Sequence, residues 1–120
     1  EILHRATNHN SVPDTTAELD LSRVMQCMDT TDGVMALFHH LQRTAQDCGF
    51  GEIGCFQVGG LSDSGITVAC GVPTVCGMGV RGEGNHTPDE YAEVESLFQR
   101  SVLSACAAYT LNDDFAKAVE

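Results

Sequence analysis

The sequence predicts an α/β layer fold with at least some parallel strand pairing, because short apolar runs alternate with stretches of helical periodicity. Four stretches carry that expectation. "VMALFHHLQRTAQDCG" (34–49) places Val34, Leu37, Phe38, Leu41, Ala45 and Cys48 at helical spacing. "GEIGCFQV" (51–58) and "PTVCGMG" (73–79) are apolar runs of strand length. "HTPDEY" (86–91) carries the residues of a helix start.

In chain order, "SVPDTTAELDLSRV" (11–24) alternates imperfectly after a Pro-Asp turn and reads as a strand. The first long helix is capped by Thr31 or Asp32 and ends at Gly49. Residues 51–58 form the next strand. Ser62 or Asp63 then caps a short helix that Gly71 and Pro73 close. The run 73–79 is a buried strand. Thr87 as N-cap, Pro88 at N1 and Glu90 at N3 make a capping box for the last helix. Its apolar stripe is Val94, Leu97, Phe98, Val102, Ala105, Cys106 and Tyr109.

The totals limit the function classes. A chain of 120 residues is about one small domain. Its net charge of −11, from 17 acids and 6 bases, argues against nucleic acid and anionic membrane surfaces, which demand Lys and Arg. The chain shows neither a membrane-length apolar run nor the h-region of a signal peptide. The six cysteines include no C-x-x-C and several sit inside apolar patterns, so the preferred reading is buried free thiols in a reducing cytoplasm rather than a disulfide framework.

Four local patterns bear on chemistry. "GMGVRG" (77–82) matches G-x-G-x-x-G, but glycines continue to Gly84 before any helix begins, which excludes the dinucleotide fingerprint. "GGLSDSG" (59–65) leads into a capped helix, whose start offers free N–H groups to an anion or carboxylate; an ordinary strand-to-helix turn is the competing reading. The serines there miss the G-x-S-x-G elbow, and six bases leave no electropositive setting for a cysteine nucleophile. His86 stands between Gly79, Gly82 and Gly84 on one side and the helix start on the other. A neutral imidazole there suits a zinc ion held by other elements, with a loop histidine bonded to a carbonyl as the alternative. His39 and His40 fall on a helix flank exposed to solvent.

Taken in order, "GGLSDSG", "GVPTVCGMGVRGEGNHTPDEY" and the acidic "AEVESL" segment resemble the C-terminal part of the zinc-dependent exopeptidases and deacylases. That family includes glutamate carboxypeptidase, tripeptide aminopeptidase, aminoacylase, acetylornithine deacetylase and succinyl-diaminopimelate desuccinylase. The resemblance spans about residues 28–112, and "MDTTDGVMALFHHLQ" resembles the passage from the family's lid back into its catalytic domain. It implies a catalytic-domain portion at 28–120, a mixed sheet with flanking helices, and remnants of an α+β lid or dimerisation domain at 1–27. His86 takes the place of the last ligand of a two-zinc site, and Gly59, Gly60, Ser62 and Asp63 line the pocket. "NSVPDTTAELDLSR" resembles the lid strand in which Asn10 and Arg23 grip a substrate carboxylate or the oxyanion.

The implied activity is zinc-assisted hydrolysis of an amide bond in a peptide or an N-acyl amino acid. The family's other ligands and its general-base Glu lie upstream of the matched region and are not among these residues. The chain is therefore expected to be inactive alone, working as a homodimer or with a complementary N-terminal segment. Two readings from other classes stand beside this one. One is a non-catalytic fragment serving in assembly or ligand binding; the other is an unrelated anion-binding module resting on the 59–63 loop.

Overall fold

The computed structural model describes residues 1–9, 11–22 and 24–112. Asn10 and Arg23, expected at the substrate, lie outside the described residues. Helix α1 spans Ile2–Thr7, α2 Asp32–Asp47, α3 Ser64–Ala69 and α4 Val94–Thr110. Strands β1 (Gly82–Glu83) and β2 (Tyr91–Ala92) form one antiparallel hairpin, with Gly82 opposite Ala92 and Glu83 opposite Tyr91.

Helix α2 follows the sequence closely. Thr31 is its N-cap, its hydroxyl accepting from the Val34 N–H at 3.2 Å. Val34, Phe38, Leu41 and Ala45 are buried, four of the six positions of the expected stripe, and Leu37 and Cys48 are half-buried. Its end is a Schellman motif: Gly49 N–H donates to Gln46 O at 3.0 Å and Phe50 N–H to Ala45 O at 2.9 Å, with Gly49 at φ 75°. Helix α3 ends the same way on Gly71 (φ 81°), through Gly71 to Val68 and Val72 to Thr67. A Cβ at Gly49 would meet nothing within 4 Å. Only the left-handed backbone therefore opposes Gly49→Ala, which is expected to cost about 1 kcal/mol in denaturant unfolding.

Helix α4 departs from the sequence in two respects. It starts at Val94 rather than after Thr87, because residues 91–92 are held in the hairpin. Thr87, Pro88 and Glu90 form a turn instead, closed by Thr87 N–H to Gly84 O at 3.0 Å and Glu90 N–H to Thr87 O at 3.2 Å. The helix is also turned over. Ser96, Leu103 and Ala107 face inward, whereas Val94, Leu97, Phe98, Val102 and Tyr109 of the predicted stripe are exposed. The bonds that join β1 to the start of α4 set this rotation. Ser96 Oγ accepts from Arg81 N–H at 2.8 Å and donates to Glu93 O at 2.6 Å, which pins the Ser96 face inward.

The core is the α2–α4 seam together with Val68 of α3. His40 strengthens the seam through Nε2, which meets Ala107 O at 3.0 Å and Thr110 Oγ1 at 3.3 Å. The solvent-facing role expected for His40 is thus corrected, while His39 is exposed as expected.

The three expected strands, 11–24, 51–58 and 73–79, take part in no ladder among the described residues. A lone strand leaves its N–H and C=O groups without sheet partners, and among the described residues no neighbouring strand is in place to pair with them. The predicted Pro-Asp turn does form, with Asp14 at φ 58°. The cysteines are free as expected, but Cys27, Cys55, Cys70 and Cys76 are exposed and Cys48 and Cys106 half-buried. The accessible surface is 9585 Å², against about 6,300 Å² for a compact monomer of this mass. The radius of gyration is 19.5 Å, against about 14 Å for a compact chain of this length.

Candidate functional site

His86 lies at the tip of the loop joining β1 to β2. Gly84 (φ 74°) and His86 (φ 65°) both take left-handed backbone, which turns the chain sharply at the imidazole. Thr87 braces the turn: its hydroxyl donates to Gly84 O at 2.7 Å and accepts from Asp89 N–H at 3.3 Å. A side chain at Gly84 would press within 3.0 Å of Asp89 O, and one at Gly82 would run into the Tyr91 carbonyl oxygen, so both positions need glycine. Below the loop, the Arg81 Nε–Glu93 Oε2 ion pair (3.0 Å) and Glu93 N–H to Arg81 O (2.8 Å) tie it to α4. A histidine at left-handed φ carries strain of about 1–2 kcal/mol. The ring is exposed.

The loop 59–64 forms a second cluster. Gly59 and Gly60 are exposed bends, and Asp63 is the exposed N-cap of α3 without a side-chain cap bond. Ser62 serves instead, its Oγ accepting from Ser64 N–H at 3.3 Å. Ser62 Oγ also meets Ser64 Oγ at 2.7 Å and Cys76 Sγ at 3.2 Å. Hydrogen bonds from Ser62 and then Ser64 hold the Cys76 thiol below its ordinary range, helped by the Gly77 backbone. This contact between the serine loop and the 73–79 run is absent from the sequence reading, because fourteen residues separate its partners. Gly65 is buried against the Gln26 carbonyl oxygen, so the 24–30 segment crosses the start of α3.

A shallow cleft of about 320 Å³ opens between the 50–56 segment and α4, lined among others by Phe50, Phe56, Arg81 and Arg100. One wall is fixed by Gln42 Nε2 donating to Ile53 O at 2.9 Å.

A zinc site takes three or four protein donors. Among the described residues no group of three or more His, Cys, Asp or Glu side chains is placed to hold a metal ion. His86 is a single donor, so the described residues do not by themselves fit a zinc centre. Among the described residues, no helix is long and apolar enough to cross a membrane. Compared with known proteins, the chain matches no family model, no curated protein and no solved structure.

Proposed function

We propose that the chain is a C-terminal portion of a zinc-dependent hydrolase acting on an amide bond in a peptide or an N-acyl amino acid. It contributes His86 as one metal ligand and the Gly59–Ser64 loop as a pocket wall. The other donors and the general base come from a further polypeptide segment. One observation carries the reading: the ordered series "GGLSDSG", "GVPT" and "GxGxH-T-x-x-E" ends on a histidine held at an exposed loop tip. An imidazole in that position can receive a metal whose remaining ligands lie elsewhere.

A second reading, assembly without catalysis, is favoured by α4. Val94, Leu97, Phe98, Ser101, Val102, Ala105, Ala108 and Tyr109 form an exposed face with no charged residue along the whole helix. A face of that kind calls for a covering surface whether or not a metal is present.

Intact mass and zinc content of the purified parent polypeptide separate the two. The hydrolase reading expects a mass well above that of 120 residues and close to two zinc ions, with zinc lost in His86→Ala. The isolated 120 residues are expected to bind no stoichiometric zinc and to cleave no dipeptide or N-acyl amino acid. A parent of 120 residues without metal would leave the assembly reading.

A further inference from the structure

We propose that the cleft between residues 50–56 and α4 binds a small carboxylic acid with an aromatic tail, its carboxylate held by Arg100. Neither His86 nor the 59–64 loop lines this cleft. Its volume of about 320 Å³ stands at the lower end of the range for ligand pockets, so it admits one ring and a short acid rather than a cofactor. On the α4 side Leu103, 2% exposed, is the floor. Gln99 and Arg100 stand one turn before it, at the i,i+4 and i,i+3 spacings that share a helix face. Both are half-buried. Among the described residues the Arg100 guanidinium has no ion pair and the Gln99 side chain no hydrogen bond. A cation drawn partly out of water without a counter-charge attracts an anion more strongly than one at an open surface, where solvent and salt screen it. The guanidinium also offers a planar fork of N–H donors, which a carboxylate matches with two parallel bonds.

Across the cleft, Phe50 is half-buried and Phe56 is 86% exposed. The Phe56 ring has most of its apolar surface left to bury, and a second ring gains offset or edge contact with it as well as area. Both walls are fixed. Phe50 N–H donates to Ala45 O at 2.9 Å and Gln42 Nε2 to Ile53 O at 2.9 Å, which hold 50–53 against α2. Helix α4 is held to the same helix where His40 Nε2 meets Ala107 O at 3.0 Å. A ligand therefore orders little besides the Phe56 ring and the Arg100 side chain on entering. The charges around the cleft select a singly charged ligand. Arg81 lines it too, but its Nε is engaged by Glu93 Oε2 at 3.0 Å, and Glu52 adds an exposed carboxylate. Among the described residues Arg100 is thus the lining cation left without a counter-charge. One carboxylate satisfies it, whereas Glu52 and Glu93 oppose a phosphate or a dicarboxylate.

The test titrates the full 120-residue chain, isotope-labelled for amide NMR, with phenylpropionate, its neutral amide phenylpropanamide, and inorganic phosphate at neutral pH. No metal is added, so the result is independent of the hydrolase reading. Phenylpropionate should bind with a Kd of about 1 mM, in keeping with a ligand of its size, and should shift the amides of 52–56 and 99–103 most. The neutral amide and phosphate should each bind about tenfold more weakly or worse, since neither offers a single carboxylate on an apolar tail. Arg100→Gln should weaken phenylpropionate about tenfold, and Phe56→Ala, at an exposed position that the fold does not depend on, about fivefold. Phe98→Ala, on α4 but outside the cleft, should leave the affinity unchanged. The comparison of acid with amide needs no substitution, so it stands even if Arg100→Gln fails to fold. Equal affinity for acid and amide, tighter binding of phosphate, unchanged affinity in a folded Arg100→Gln, or shifts confined to the exposed face of α4 would overturn the proposal.

Discussion

Leu103→Ala should cost about 2–5 kcal/mol and lower Tm by about 10 °C or more, whereas Phe98→Ala, five positions earlier on the same helix, should fall within about 0.5 kcal/mol. Leu103 is 2% exposed against α2, and Phe98 is 62% exposed. By the sequence alone the larger ring on the predicted stripe would be the costlier loss, so the pair of variants tests which way α4 is turned. Leucine truncation at a filled seam removes transfer energy and leaves a cavity that packed helices collapse into only partly. The core has few members, seven apolar residues among those described, and so little else can offset the loss. Circular dichroism against temperature would read both variants. A Phe98→Ala loss as large as that of Leu103→Ala would mean that the uncharged face of α4 is the inward one. A Phe98→Ala effect that emerges only when a partner polypeptide is added would mean that the face is covered in the assembly.

How much of this was legible depends on how far along the chain each signal reaches. Both long-helix signals in α2 are local: a threonine accepting from the N–H three residues on, and a glycine in left-handed backbone immediately after the last turn. Such signals act within one turn and survive whatever surrounds them. The capping box at Thr87 is equally local, yet it yields a turn. There the competitor is a strand partner, Gly82–Glu83, that no single window contains. The stripe of α4 is a periodic pattern in the sequence, but periodicity does not say which of two apolar faces meets α2. Leu103 and Ala107 form a second, narrower face, and a buried serine completes it. The local pattern puts His40 on a solvent-facing flank, because its acceptor, Ala107 O, is 67 positions away. At the candidate site, the glycine-rich approach to His86 is legible in the sequence, and the structure makes glycine a requirement at Gly82 and Gly84. The Ser62–Cys76 contact was not, since it joins two loops.

Removing one hydroxyl at Ser96 should show how the His86 loop is held. Ser96 is fully buried, and its Oγ is the acceptor for Arg81 N–H while donating to Glu93 O. Ser96→Ala keeps the volume nearly unchanged and leaves the Arg81 amide without that acceptor, at a cost of about 1–3 kcal/mol. The loss falls where β1 joins α4, so hydrogen exchange should read it best. The Arg81 and Glu93 amides should lose protection most, and the Val34 and Ala45 amides of α2 should change less. Arg81→Ala breaks only the exposed ion pair with Glu93 and should cost at most about 1 kcal/mol, because exposed pairs contribute little. If Arg81→Ala proves the more damaging of the two, the loop is held by charge rather than by the buried serine. If Ser96→Ala frees the loop as expected, the left-handed strain at His86 loses its support, since strained backbone persists only where its surroundings over-determine it. On the proposed hydrolase reading, zinc affinity would then fall with every metal ligand still present.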